Sequence, residues 1–315
     1  MPIRIASTQP NPARSRAGFT LVELVAVITI LGIIAAVVAL FMRDPVRAYV
    51  DTARRGELSD VADTALRRMA RDIRTALPNS LRVVGPVGST YYLELLQTKT
   101  GGRYRSQKDD ANAGDLLDFS AADAAFDTVN PLSTVSGQTI AANDILVVQN
   151  LFGASGQTES NAYTYNQSAN SCTSATPTAS TCNTARITGA DTAGALANER
   201  HISFDSRQFP LASPGERFHV VSGPVTYVCA PGAANAKGDG TGTLTRISAY
   251  TITLAQPQPP SGTSGMLAAN VTACNIQYDQ LALTQNHGIV SIQLSLTRGG
   301  ETVSLYHEVH VTNVP

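Results

Sequence analysis

The sequence predicts an α+β protein in which one long N-terminal helix packs on a large β-rich head. An apolar run covers residues 19–42 and holds a single charged residue, Glu23. A helical pattern of apolar residues resumes beyond Pro45 and continues to residue 77, and alternating strand-like patterns fill the rest. We therefore expect a leader at 1–18, a helix at 19–77 with a membrane span at 19–42, and a head at 78–315.

The apolar run is long enough to cross a membrane. As a helix it would extend roughly 36 Å, which exceeds the hydrocarbon core of a bilayer. The basic residues Arg4, Arg14 and Arg16 precede it, so the positive-inside rule places the N-terminus in the cytoplasm and exports everything after Met42. A charged side chain such as Glu23 raises the free energy of membrane insertion by on the order of 2.5–3.5 kcal/mol at the centre of a spanning helix and by less near an end. The carboxylate therefore needs a partner that stabilises its charge.

Other readings of this run fit less well. A secretory signal peptide has an apolar core of about 7–15 residues and a small-x-small cleavage site, whereas this run is longer and contains Glu23. A soluble core does not need so long a one-sided run. An ordinary signal anchor that holds an exported enzyme in the membrane remains an alternative interpretation of this run.

The second half of the predicted helix is amphipathic. Gly32 weakens the helix within the span, and Pro45 predicts a kink or break just beyond it. Arginine and aspartate fill most positions between the apolar residues, so one face should dock on a sheet and the other should meet solvent. The predicted apolar stripe consists of Leu58, Val61, Ala65, Met69, Ile73 and Leu77.

Strand patterns begin near Arg82. Residues 290–296 alternate between apolar and polar, a turn follows at 298–301, and 302–311 returns as the partner strand of a hairpin. Two long polar segments, 153–184 and 230–242, predict loops. The remaining candidate strands are 81–84, 90–96, 145–150, 200–204, 218–221, 225–229, 244–254 and 275–278.

The four cysteines, all in the C-terminal half, predict disulfides. An even count outside the cytoplasm allows three pairings. We favour Cys172–Cys182, which brackets a small Ser/Thr-rich loop, and Cys229–Cys274, which joins two candidate strands. A zinc site is the alternative, but the spacings lack a C-x-x-C motif.

Composition and motifs favour neither a nucleic-acid binder nor an enzyme. Only 15% of the residues are charged and the net charge is −1, so no nucleic-acid partner is expected. The sequence has no G-x-S-x-G, H-E-x-x-H or P-loop motif, and we predict no catalytic residue and no cofactor. On a strand His307 and His310 would face opposite sides, so they would not share a metal.

One acidic stretch is a weak candidate for calcium. Oxygen donors at this spacing can hold a hard cation, although the spacing does not fit an EF-hand loop. A solvated turn is the simpler expectation. The residues are Asp109, Asp110, Asn112, Asp115 and Asp118.

The segment from Gly18 to Leu24, GFTLVEL, resembles the processing site of type IV prepilins and type II secretion pseudopilins. The resemblance implies a pilin-like fold, cleavage by a prepilin peptidase after Gly18 and N-methylation of the new amine on Phe19. It also implies that Glu23 meets the N-terminal amine of a neighbouring subunit during assembly, which supplies the partner that its cost requires.

Patches further along extend the resemblance to larger minor pilins. They lie at 71–80, at 103–105 with 117–119, and at 305–315, which is similar to the C-terminus of minor pilins of the mannose-sensitive haemagglutinin (MSHA) pilus system. The J-type pseudopilin of type II secretion is a less close match. A large head suggests low copy number, with assembly or initiation near a tip.

The same resemblance implies the partners and the location. The partners are other pilins through the N-terminal helix, the prepilin peptidase, the inner-membrane assembly platform and the lipid bilayer. Before assembly the chain would cross the inner membrane once, with a periplasmic head, and afterwards it would lie in a pilus at the cell surface. A membrane-anchored exported enzyme or an adhesin remains the alternative from another class.

Overall fold

A computed structural model describes residues 18–129, 131–151, 160–172, 182–284 and 287–314. All of the predicted leader except Gly18 lies outside the described residues. The chain divides into two compact units, residues 1–53 and residues 54–315.

One helix, α1, runs from Leu21 to Arg74. Of the kink or break expected at Pro45, the break is wrong, because the helix continues through that residue. Proline removes a single backbone donor, the N–H that would bond the carbonyl four residues earlier, and the remaining helical hydrogen bonds hold the segment together. The helix also ends before the predicted residue 77. The N–H of Leu77 donates to the carbonyl of Leu96 at 2.8 Å, so the chain has already turned towards the sheet.

The head is a large antiparallel sheet, which confirms the predicted fold class of a long helix packed on a β-rich head. Within the described residues the main sheet has eleven strands, in the order β13-β12-β11-β10-β9-β4-β7-β8-β3, with β2 joined to β9 and β1 joined to β2. The strands β5 and β6 form a separate pair. A short 3₁₀ turn at Ala162–Thr164 precedes β5.

The strand bounds are as follows: β1 Arg82–Val87, β2 Thr90–Arg103, β3 Asp123–Asp127, β4 Ile145–Val148, β5 Tyr165–Asn166, β6 Ser171–Cys172, β7 Thr184–Ala193, β8 Arg200–Arg207, β9 Arg217–Ala230, β10 Gly242–Ser248, β11 Thr263–Thr284, β12 His287–Arg298 and β13 Glu301–Thr312.

The C-terminal hairpin agrees with its sequence pattern. The strands β12 and β13 pair in continuous register, with Leu294 opposite Leu305 and Arg298 opposite Glu301 at the turn. The expected strand at 244–254 is too long, since β10 ends at Ser248. Ala249 then adopts a φ of 59°, which turns the chain out of the ladder.

The second half of α1 packs on the main sheet. Its buried side chains meet apolar residues of β9 to β13 in one core, and Met69 and Ile73 are fully buried there. The predicted stripe is wrong at Val61, which is 36% exposed. Ala62 takes that place, because residues 58, 62, 65, 66, 69, 70 and 73 follow the 3.6-residue period more closely. Leu77 is buried after the helix ends.

A buried ion pair lies within this helix–sheet contact. The side chain of Asp72 is only 3% exposed, and its Oδ2 accepts from Tyr227 Oη at 2.7 Å and from Arg246 Nε at 2.8 Å. Arg246 also donates to the amide oxygen of Gln97 at 2.9 Å. Burial and the adjacent Asp72 charge raise the pKa of Tyr227. The carboxylate of α1 is thereby bonded to side chains of β9 and β10.

Two exposed ion pairs join the helix to the turn of the C-terminal hairpin. Arg55 pairs with Glu301, and Arg298 pairs with Glu57 at 2.7 Å. Such exposed pairs contribute about 0–1 kcal/mol each. They therefore add little stability compared with the apolar core beneath them.

The four cysteines form two disulfides, Cys172–Cys182 and Cys229–Cys274. The first joins Cys172 of β6 to Cys182, which directly precedes the buried Asn183 and Thr184. The loop between these cysteines, at 173–181, lies outside the described residues. The second joins β9 to β11 across β10. Cross-links of this kind stabilise the fold mainly by restricting the unfolded chain.

We expect Asp72→Ala to destabilise the head by about 3–5 kcal/mol, because it leaves the half-buried Arg246 without its counter-ion and the buried hydroxyl of Tyr227 without its acceptor. The measurement is denaturant unfolding of the full chain in detergent. The matched control is Asp63→Ala, which removes a carboxylate of the same helix from an exposed pair with Arg67 and should cost less than about 1 kcal/mol. Equal losses in the two variants would contradict a structural role for the buried pair.

His219 predicts acid sensitivity of the head. It lies on β9, its Nε2 is buried without a hydrogen-bond partner, and burial together with Arg217 lowers its pKa from 6.5 to about 4. The unfolded chain therefore binds the proton more readily, so the stability from neutral His219 is present above pH 6.5 and is lost as the pH falls towards 4.

Between these pH values wild type should lose roughly 3 kcal/mol more stability than His219→Leu. Unfolding curves across the range measure this difference. The exposed His310→Leu variant serves as the control and should track wild type. Parallel pH profiles for wild type and His219→Leu would refute the assignment.

Candidate functional site

The predicted processing junction lies on exposed chain directly before α1. Gly18, Phe19 and Thr20 precede the first helical residue, and Phe19 is 81% exposed. A Cβ built on Gly18 would meet no atom within 4 Å. Packing within the described chain therefore does not require glycine at this position, and the peptide bond after it is accessible.

Thr20 caps the N-terminus of the helix. Its hydroxyl accepts from the N–H of Glu23 at 3.2 Å, and its carbonyl accepts from the N–H of Leu24 at 3.1 Å. Threonine is a preferred N-cap residue, and a glutamate three positions later matches a capping-box spacing. The sequence reasoning did not assign this role to Thr20, although the T-x-x-E spacing carries the signal.

Glu23 lies in the first turn of α1. The N-terminus of a helix carries a partial positive charge, so a carboxylate is better tolerated there than in the middle of an apolar span. This position reduces the free-energy cost of placing the Glu23 carboxylate in an apolar span, but it does not supply a counter-ion.

The first part of α1 exposes a continuous apolar surface. Every large apolar side chain from Phe19 to Met42 is at least 45% exposed. The helix is long and apolar enough to cross a membrane. The hydroxyl of Thr29 donates to the carbonyls of Val25 and Ala26 at 3.0 and 2.9 Å, so this polar group is satisfied within the helix. Such a surface calls for an apolar environment.

In the described part of the chain, which includes the calcium candidates, no three His, Cys, Asp or Glu side chains are placed together to hold a metal ion. Asp109 Oδ1 instead accepts from the N–H of Ala113 at 2.6 Å, and Asp118 Oδ1 accepts from the N–H and hydroxyl of Ser120 at 2.7 Å. The bonds to Ser120 lower the pKa of Asp118. These two carboxylates shape turns.

A histidine–carboxylate contact lies near this stretch. His201 Nδ1 is 2.8 Å from Asp127 Oδ1, and the other oxygen of Asp127 accepts from the N–H groups of Asp115 and Ala195. Burial raises the pKa of Asp127, but these hydrogen bonds and His201 outweigh it, so the net shift is downward. The buried carboxylate ties together β3, β8 and two loops, which is a structural role.

The other histidines remain apart. His307 is half-buried on β13 and His310 is exposed on the same strand, in line with opposite faces. The glycine-rich segment 238–242 forms a turn and the start of β10.

A scan against protein-family models matches the prokaryotic N-terminal methylation motif at residues 13–39. This match includes the junction at Gly18 and Phe19, the carboxylate of Glu23 and most of the apolar run. No curated protein and no solved structure matches the chain. The motif is a type IV pilin-like prepilin signal and supports a pilin- or pseudopilin-type protein. The motif suggests a structural rather than an enzymatic protein, and it implies in general processing by a prepilin peptidase and assembly with other pilins.

Proposed function

We propose that the chain is an MshO-like minor pilin of an MSHA-type type IV pilus, which contributes to pilus assembly or initiation at or near the tip. The observation that carries the proposal is the N-terminal methylation motif on an exposed junction, followed by an exposed apolar helix. The similarity of residues 305–315 to the C-terminus of MSHA minor pilins supports the finer assignment.

The first step is processing at the membrane. The prepilin peptidase hydrolyses the peptide bond between Gly18 and Phe19, and the new amine of Phe19 then accepts a methyl group from a methyl donor. Open space around Gly18 and the exposed Phe19 side chain suit recognition by another protein. The residues before the cut remain in the cytoplasm.

The second step is transfer from bilayer to filament. In the bilayer, lipid covers the apolar side chains of residues 19–42, while the head lies in the periplasm. In the filament, the same side chains pack against the helices of other subunits, so their surface stays out of water. The inner-membrane assembly platform would bring the subunits together.

Glu23 sets the register of that packing. Removal of residues 1–18 creates a cationic amine at Phe19, and the Glu23 carboxylate of one subunit pairs with the amine of its neighbour. A carboxylate buried among apolar helices without a counter-ion would be strongly unfavourable, so only packings that form this pair are stable. The charge thereby selects one axial position among many with similar apolar contact.

The size of the head supports a minor role. The compact unit that contains it extends over residues 54–315 and carries the eleven-stranded sheet. A head of this size is difficult to repeat closely along a fibre, which favours low copy number. A J-type pseudopilin of type II secretion would share these features. Loss of surface pili on deletion of the gene supports the pilus assignment, and loss of protein secretion with intact pili supports the pseudopilin.

We expect the protein from membranes to lack residues 1–18 and to carry one added methyl group, only when a prepilin peptidase is present. Intact-mass spectrometry measures both changes. Gly18→Leu should keep the full-length mass, because a large side chain precedes the scissile bond, whereas the control Gly32→Leu, inside the span, should be processed normally. An unprocessed wild type beside an active peptidase would overturn the proposal and favour a membrane-anchored enzyme.

For Glu23→Val we expect normal processing but loss of assembly, with at least a tenfold drop in the protein recovered in sheared pili. The substitution removes the counter-charge for the neighbour's amine while keeping the helix apolar. The control is Thr29→Val, which removes a hydroxyl already satisfied within its own helix and should assemble normally. Wild-type recovery of the Glu23 variant would rule out the registration role.

A further inference from the structure

A groove of about 630 Å³ lies beside the second half of α1, within the head unit. One wall is helical and the other is the beginning of β11, and Arg246 of β10 closes the base between them. A smaller cavity of about 160 Å³ shares Met266 and Leu267 with it and extends the groove along β11. The residues that matter most are Thr64, Arg67, Arg68, Arg71, Arg246 and Met266.

The strand wall of the groove is an open sheet edge. Residues 263–268 of β11 pair with β10 on one side, whereas the pairing of β11 with β12 begins only at Val271. Within the described ranges no strand therefore pairs with the outer side of 263–268. Residues 263–266 are exposed, and a Cβ built on Gly265 would meet no atom within 4 Å. Six residues of strand offer roughly 20 Å of edge.

The helix wall carries excess positive charge. Arg246 and Arg68 share the buried carboxylate of Asp72, and Arg67 pairs with Asp63. Arg71 is exposed and forms no ion pair with any described residue. The groove therefore combines unpaired backbone groups of a strand edge with guanidinium groups that exceed their counter-ions.

We propose that this groove binds an extended acidic segment of a partner protein, which adds to β11 as a further strand. Side chains of an added strand alternate between its two faces, so every second residue would face the helix and meet Arg67, Arg68 or Arg71. A segment with glutamate or aspartate at alternate positions satisfies the arginines, and its backbone satisfies the edge. An inorganic anion would satisfy only the arginines.

The chain itself does not supply this segment from its undescribed parts. Residues 1–17, 130, 152–159, 173–181, 285–286 and 315 together contain a single acidic residue, Glu159. The acidic strand must then come from another molecule. This inference concerns the head alone and does not depend on processing at Gly18.

The test uses the full-length chain in detergent and a fluorescent nine-residue peptide in which glutamate alternates with valine and threonine. Fluorescence polarisation should show saturable binding that weakens with salt, and a peptide with lysine in place of glutamate should not bind. Arg71→Glu should lower the affinity at least tenfold. The matched control is Arg74→Glu, which makes the same charge change on the same helix outside the groove and should leave the affinity within about twofold.

Two further peptides separate strand addition from simple charge attraction. One carries N-methyl groups on all glutamates, and the other carries them on the residues between. Alternate N–H groups of a strand point to opposite sides, so one of the two peptides should lose binding and the other should keep it.

Four outcomes would overturn the proposal. The first is no saturable binding of the acidic peptide by wild type, and the second is equal binding by both N-methylated peptides. The third is an equal effect of Arg71→Glu and Arg74→Glu. If Arg71→Glu instead abolishes self-association of the chain at concentrations where no peptide binds, the groove is an interface between two copies and the acidic-partner assignment is wrong.

Discussion

The head depends on how the second half of α1 is held on the main sheet. Apolar side chains from Leu58 to Ile73 are buried against the sheet, and this hydrophobic attraction has no direction of its own. The buried Asp72 adds direction. Its carboxylate must lie within hydrogen-bond distance of Tyr227 on β9 and Arg246 on β10, which specifies both the rotation and the axial position of the helix against those two strands. A shift of one residue would leave a buried charge unpaired, at a cost of several kcal/mol.

A different constraint governs the first half of the same helix. Its apolar side chains have no cover within the described chain, and water is an unfavourable environment for so large an apolar surface. A bilayer and a bundle of similar helices are both suitable environments, and a filament subunit needs each in turn. Thr29 is compatible with both because its hydroxyl is satisfied locally. In the proposed filament, Glu23 would discriminate between packings because it needs a cation. One helix thus combines a non-specific apolar surface with one specific polar requirement.

The two binding surfaces proposed for this protein differ in physical character. In the proposed filament the apolar helix would pack against similar helices through burial of apolar area, with Glu23 setting the register. The groove beside β11 favours a strand through backbone hydrogen bonds, with the arginines setting the charge of its side chains. Because the two proposed surfaces use different chemistry, one subunit would be able to hold its place in a filament and contact a dissimilar partner with its head.

Much of the architecture was predictable from local pattern. The apolar run, the amphipathic continuation to Ile73 and the C-terminal hairpin each have a period or a turn that a single segment displays. The strands that were not predicted are β3, β5, β6, β7 and the first half of β11. They are very short or have weak alternation, and the strands that pair with them stabilise them. The prediction that Val61 is buried was wrong for a related reason. Three- and four-residue spacing defines a broad apolar stripe on the helix, and the surface against which the helix packs decides which residues at the margin of that stripe are buried. The helix-capping role of Thr20 was not predicted, although the T-x-x-E spacing indicates it.

The sequence by itself predicted a helix able to anchor the chain in a membrane and the candidate processing residues, because the resemblance of Gly18, Phe19 and Glu23 to a processing site lies in their order along the chain. It also showed that Cys172, Cys182, Cys229 and Cys274 had several possible pairings. Only the tertiary structure decided which cysteines meet, that Asp72 pairs with Arg246 across 174 residues, and that the acidic stretch near Asp109 bonds its own backbone. The open edge of β11 beside the arginines of α1 belongs to the same group. These features join residues that are far apart in sequence, and their geometry depends on strand order, which no local pattern encodes.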